Sequence, residues 1–139
     1  MLCDNADAVV HVAGLTTTPD PMEFEDANVG GTQRMIDAAK EKRVKRFIFV
    51  SSLSAREPGL SAYGASKAKA EKLVEASGLD WTIVRPVILT KGSRSGKLKV
   101  LRDPARWRNG LVSRRDVARY LVDAVENGLD IRADVVLAR

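Results

Sequence analysis

The residues best placed to do chemistry in this chain are Tyr63 and Lys67, four positions apart in the run Tyr63-Gly-Ala-Ser-Lys67. On a helix that spacing puts both side chains on one face, one turn apart. A tyrosine hydroxyl with an ordinary pKa of about 10 is a sluggish proton donor and a worse base near neutrality. An ammonium held beside it stabilises the phenolate, and a shift of about three units requires roughly 4 kcal/mol of differential interaction. The pair suits an oxygen that changes charge during reaction, such as a carbonyl becoming an alkoxide. A hydroxyl to hold that oxygen is available upstream, where the apolar run from Phe47 ends in Ser51 and Ser52. Ser52 is the first choice, with Ser51 or Ser54 as substitutes. Tyrosine and lysine at this spacing also meet by chance, so the pair needs a scaffold that brings the serine to it.

The elements around these residues supply one. Ala8 to Ala13 is short, continuous and rich in valine, the pattern of a strand buried on both faces, and it ends at Gly14. From about Glu23 to Arg43, Ala27, Thr32, Met35, Ile36 and Ala39 recur at helical spacing, although Gly30 and Gly31 each weaken a helix by about 1 kcal/mol. Phe47 to Ser51 reads as a second buried strand. A helix follows from about Ala62 to Ala76, with Ser61 as its cap and Gly78 as its stop. Trp81 to Arg85 reads as a third strand closed by Pro86. An irregular basic stretch with a short strand at Lys97 to Leu101 leads to Ser113, the expected N-cap of a helix running to about Glu126. That helix should turn Val117, Ala118, Leu121, Val122 and Val125 inward. Ala133 to Ala138 closes the pattern. Strands alternating with helices imply parallel pairing through right-handed crossovers. The expected fold is α/β, a single domain over residues 1–139 built as an open, partly Rossmann-like, doubly wound parallel sheet in three layers.

Composition sets the outer limits. A chain of 139 residues, 45% hydrophobic and 29% charged, has the makings of one globular domain with a real core. No apolar run approaches the roughly 20 residues that cross a bilayer, and the first residues lack a basic start or apolar centre, so a cytoplasmic location is expected, with no membrane partner. A single cysteine, Cys3, gives neither an internal disulfide nor a metal cluster, and no metal site is expected. The net charge is +5, but Lys91 to Arg119 holds ten basic residues against Asp103 and Asp116, leaving the remainder at −3. Such a stretch can attract an anion or nucleic acid. A solvated loop and helix face is the simpler reading, because only Trp107 interrupts the charges and single-strand binders usually offer several stacking rings. His11, inside an apolar run, reads as a neutral core residue, and Trp81 as a packing group.

Taken in order, these segments resemble short-chain dehydrogenases/reductases of the extended and atypical type, the group that includes NAD-dependent epimerases and dehydratases. Ala8 to Gly14 resembles the strand and turn lying against the cofactor. Asn28-Val29-Gly30-Gly31-Thr32 resembles the asparagine-containing helix segment, and Phe47 to Ser52 the strand that delivers the catalytic serine. Tyr63 to Lys67 resembles the Tyr-x-x-x-Lys pair. Thr82 to Pro86 resembles the strand whose following loop touches nicotinamide, and Val112 to Ala118 a helix start common in atypical members. The resemblance implies Tyr/Lys/Ser hydride-transfer chemistry on a small carbonyl or alcohol, with NAD or NADP as cofactor. It assigns catalysis to Ser52, Tyr63, Lys67 and Asn28, with Asn28 holding a water or backbone group behind the lysine. It assigns cofactor contact to Ala13, Gly14, Ser51, Tyr63, Lys67, Pro86 and Val87.

One family feature has no counterpart. None of the ten glycines falls in a G-x-x-G-x-x-G or G-x-G-x-x-G pattern, the turn that holds a pyrophosphate at a helix N-terminus. Weak or absent cofactor binding is therefore expected of this chain alone, which reads as an N-terminally incomplete domain. The strand at Ala8 to Val12 should then present a long, apolar, unpaired edge that another copy of the chain could cover. Two other functions remain open at this level: a non-catalytic scaffold or redox-sensing module on the same fold, and an anion or nucleic-acid binder working through residues 91–119.

Overall fold

The computed structural model describes residues 1–139. In chain order it contains β1 (Ala8–His11), a short helix α1 (Pro21–Phe24), a π-helical segment (Glu25–Gly30), α2 (Gly31–Glu41), β2 (Arg46–Val50) and a 3-10 turn (Leu53–Arg56). Then come α3 (Ala62–Glu75), β3 (Asp80–Pro86), β4 (Ile88–Thr90), β5 (Lys99–Leu101), a second 3-10 turn (Pro104–Arg106), β6 (Leu111–Ser113), α4 (Arg114–Asn127) and β7 (Ala133–Ala138).

The apolar runs form the sheet. Its order is β1-β2-β3-β7-β5, parallel except for β5, which runs antiparallel to β7 at the far edge. Val9 faces Phe47, Phe47 faces Trp81 and Val84 faces Val135. β2 is covered on both sides, as its unbroken Phe47-Ile48-Phe49 requires: all three are fully buried. Phe47, Phe49 and Ile83 pack on Ile36 and Ala39 of α2 and on Ala70 and Val74 of α3. Ile48, Val84 and Val136 belong to the other face, against Val117, Tyr120 and Ala124 of α4. Helices on both sides of a mostly parallel sheet make the three-layer architecture that the alternation of elements implied.

Four details differ from the sequence reading. β4 and β6 are extra strands, three residues each, paired in parallel as a separate ribbon with Leu89 opposite Val112. β1 is shorter than expected, ending at His11, and as an edge strand it leaves Val10 and Val12 41% and 58% exposed. α4 is rotated from its expected face. Asp116, Val117, Tyr120 and Ala124 are buried while Ala118 and Val122 are exposed, because the Tyr120 hydroxyl reaches inward to Asp130 Oδ2 at 2.7 Å. The helix expected over 23–43 is broken into three pieces. Its buried residues Phe24, Asn28, Thr32 and Ile36 lie four apart, and at 3.6 residues per turn such steps drift round the axis. The wider π turn counters that drift and turns Asn28 inward.

Candidate active site

The carboxyl ends of β1, β2 and β3 converge on one side of the sheet, the place where open α/β sheets bind ligands. Beyond them α3 begins, fixed by Ser61, whose Oγ accepts the Gly64 N–H at 2.9 Å. Gly64 lets this helix start lie against the serine turn, since a Cβ there would stand 2.7 Å from the Ser54 carbonyl oxygen. The result is a cavity of about 420 Å³ whose lining includes Gly14, Ser51, Ser52, Tyr63, Lys67, Pro86 and Val87, together with Arg114. Ala13 lies in an adjoining hollow with His11, Leu15, Ala27 and Met35, and Asn28 is buried behind the cavity wall.

Lys67 is 4% exposed. Its ammonium donates to the Val50 carbonyl at 3.1 Å and sits 4.5 Å from the centre of the Phe49 ring. Burial pulls its pKa down to about 8, with Glu71 acting in the opposite direction. Burial pushes the Tyr63 hydroxyl above its ordinary value, and the neighbouring Ser52 hydroxyl offsets only part of that. Desolvation, and not the Lys67 charge, governs the Tyr63 hydroxyl, which is protonated at neutral pH. Ser52, in extended conformation at the end of β2, shares a 2.8 Å hydrogen bond with Ser54. Ser51 points elsewhere: its Oγ donates to Glu71 Oε1 at 2.5 Å.

Asn28 ties the loop after β1 to α3. Its Oδ1 accepts the Leu15 N–H at 2.7 Å, and its Nδ2 donates to the Leu15 carbonyl at 2.9 Å and to Ser66 Oγ at 3.0 Å. The backbone group it holds is thus Leu15. Glycine at position 14 gives the asparagine room, because a Cβ would stand 3.1 Å from Asn28 Oδ1 and push it by a few tenths of an ångström. Thr32 gives its one hydroxyl proton to the Asn28 carbonyl at 2.7 Å, so the 3.1 Å bond to His11 Nε2 is donated by the histidine. His11 is buried and its pKa is lowered to about 4, chiefly by desolvation and then by the Lys67 charge, so the ring is neutral.

Residues 2–128 match the sequence model of a family described as NAD(P)H-binding. The chain belongs to this NAD(P)H-binding family. It is 32% identical over 125 residues to the uncharacterized sugar epimerase YhfK of Bacillus subtilis, covering 86% of this chain and 57% of that protein. It is 42% identical over 85 residues to the ceramide reductase of Caulobacter vibrioides, covering 61% of this chain and 26% of that one. Among solved structures, a Bacillus halodurans protein assigned to the NAD-dependent epimerases/dehydratases superimposes with a TM-score of 0.85 at 27% identity, over 96% of this chain and 64% of its own. The chain spans less than two thirds of each of these relatives.

The residues present fit one end of the family's dinucleotide. Tyr63 and Lys67 offer a hydroxyl and an ammonium beside the bare backbone of Gly14, and Pro86 and Val87 form an apolar wall. Those donors suit a nicotinamide ribose and the wall suits a flat ring. They do not fit a pyrophosphate: β1 ends at His11, no glycine-rich turn follows, and α1 starts only at Pro21 and runs for four residues.

Three residues beside this candidate site escaped the sequence reading. Glu71 sits two turns beyond Tyr63 on the face it shares with Lys67, and it accepts from Ser51 and from Arg85. Arg85, singled out only as the end of a strand, also donates to Asp134 at 2.6 Å, and its guanidinium lies 4.7 Å from the centre of the Trp107 ring. The spacing 63, 67, 71 was a usable signal for Glu71; nothing in the sequence tied Asp134 to it. No helix is long and apolar enough to cross a membrane, and no group of three or more metal-ligating side chains is found.

Proposed function

We propose that this chain carries the proton-transfer half of an NAD(P)-dependent oxidoreductase or epimerase acting on a small carbonyl or alcohol. The observation that supports this most is the grouping of Ser52, Tyr63 and Lys67 around one cavity that also contains Gly14, Pro86 and Val87. When bound, the dinucleotide supplies or removes a hydride. The chain's own residues do the rest. Ser52 holds the substrate oxygen by its hydroxyl. Tyr63, protonated at neutral pH as an ordinary tyrosine is and the more so for its burial, gives that oxygen a proton as negative charge develops on it. Lys67, kept cationic up to about pH 8, lowers the energy of the tyrosinate left behind. Asn28 fixes Leu15 and Ser66 so that the loop after β1 and the lysine-bearing helix keep their distance.

The test is a fluorescence titration of the chain with NADH and, separately, NADPH, followed by a screen of carbonyl substrates with Tyr63→Phe as control. Weak binding of either dinucleotide, saturating only at high concentration, with turnover falling at least 100-fold in Tyr63→Phe while that binding is kept, is the expected result. Binding without any turnover difference between the two proteins would favour a scaffold or sensor instead.

A further inference from the structure

We propose that the hollow between the 53–61 turn and the 104–109 turn receives the non-reacting end of the substrate, and that this end is a ring bearing a carboxylate or phosphate. The inference rests on the catalytic cavity being read as above. The hollow measures about 440 Å³, enough for a ring and its substituents. It adjoins the catalytic cavity directly: Ser54, in its lining, is bonded to Ser52 at 2.8 Å, and Ser61, also in its lining, caps the helix that carries Tyr63.

Its walls specify the ligand. Trp107 gives an apolar surface that is fixed in advance, with Nε1 donating to the Leu101 carbonyl at 3.0 Å and the Arg85 guanidinium packed 4.7 Å from the ring centre. Arg85 is itself immobilised by Glu71 and Asp134. Arg56 and Arg108 line the same hollow, and neither makes an ion pair, whereas Arg85 has two carboxylate partners. Arg56 spends a single donor on the Trp107 carbonyl, at 3.3 Å, which joins the two turns and leaves the other N–H groups of its fork available. A guanidinium fork fits the paired oxygens of a carboxylate or phosphate. Glu57 is the one acidic group in the lining, and it is exposed, as Arg56 and Arg108 are. An apolar wall with two guanidiniums that have no carboxylate partner, one of them, Arg56, lying 5.7 Å from the Trp107 ring centre, selects an anion attached to a ring over a neutral sugar or alcohol of the same size.

The chain is titrated with benzoate and phenyl phosphate, and with benzamide as the uncharged counterpart, following tryptophan emission. Trp107→Phe identifies the reporting ring against Trp81. Saturable binding of the two anions, at least ten-fold tighter than benzamide, is expected, with Arg56→Gln and Arg108→Gln each weakening it about ten-fold and Glu57→Gln tightening it. Equal response to benzoate and benzamide, or anion binding unchanged in both arginine variants, overturns the proposal. Far-ultraviolet circular dichroism checks that each variant is folded. The dinucleotide titration is read separately, so loss of dinucleotide binding with anion binding intact counts against the catalytic reading alone.

Discussion

Glu71 grips Arg85 through both carboxylate oxygens, at 2.9 Å from Nε and 2.6 Å from Nη2, with each side chain only 7% exposed. The pair links the two hollows: Ser51, in the lining of the cavity with Tyr63 and Lys67, bonds to Glu71, while Arg85 lies against Trp107, in the lining of the other. Removing one partner of a buried pair typically costs 3–5 kcal/mol, and without Glu71 the Arg85 charge keeps only the part-exposed Asp134, which puts the cost at the lower end of that range. Glu71→Gln is therefore expected to lose about 3 kcal/mol in urea unfolding at pH 7. Replacing both residues by methionine should recover most of that, because the desolvation of both charges goes with them. A loss below about 1 kcal/mol in Glu71→Gln would mean that the pair does not hold the site together.

Asn28 is the second buried support. Truncation to alanine strips the Leu15 N–H and carbonyl of their partner, and a buried unsatisfied group costs about 1–3 kcal/mol. Asn28→Asp should be the worse change, since it buries a charge and sets a carboxylate oxygen against the Leu15 carbonyl oxygen. Thermal melting of the two variants checks the order. Equal melting temperatures would show that the asparagine amide donor is dispensable.

The parts of this architecture that the chain spells out locally were legible; those made by distant partners were not. Phe47-Ile48-Phe49 could only be a doubly covered strand, and the caps Ser61 and Ser113 stood where a polar residue met a periodic run. Ser52, Tyr63 and Lys67 were readable as a set because the serine strand and the helix follow each other directly. β4 and β6, three residues each, pair across an intervening segment of about twenty residues, and no local pattern announces such a contact. The face of α4 was misplaced because the valine spacing was read without Tyr120, whose hydroxyl seeks Asp130. Glu71, inside Ala-Lys-Ala-Glu-Lys, has the look of a solvated helix residue until Arg85 arrives from the next strand.

His11 predicts an acid limit to stability. Its folded pKa is lowered to about 4, against an ordinary 6.5. Between those values the unfolded chain takes up a proton that the folded chain refuses, so the contribution is fully present above pH 6.5 and is lost as pH falls through 4. A shift of this size corresponds to about 3 kcal/mol. His11→Gln keeps a donor for Thr32 but does not titrate. The stability of the native chain relative to this variant should drop by about 3 kcal/mol between pH 7 and pH 4 in urea unfolding. A difference that stays flat across that interval would remove histidine protonation as the cause.

Lys67 predicts a slope of the same sign at alkaline pH. Its folded pKa of about 8 lies below the ordinary 10.5, because the ammonium is buried against Phe49 with only the Val50 carbonyl to bond. Between pH 8 and 10.5 the unfolded chain holds more protons than the folded one, so stability rises with pH across that window; below pH 8 the full penalty applies, about 3 kcal/mol. Lys67→Met should therefore gain about 2 kcal/mol at pH 7, after losing about 1 kcal/mol with the bond to Val50. The gain should fade as pH climbs toward 10.5. The same variant should lose dinucleotide affinity and turnover. A charge that weakens the fold and has one carbonyl as its hydrogen-bond partner, with Phe49 and Glu71 as its other neighbours, is what the proposed catalytic cation requires, since the exclusion of water that makes it unstable also strengthens its field.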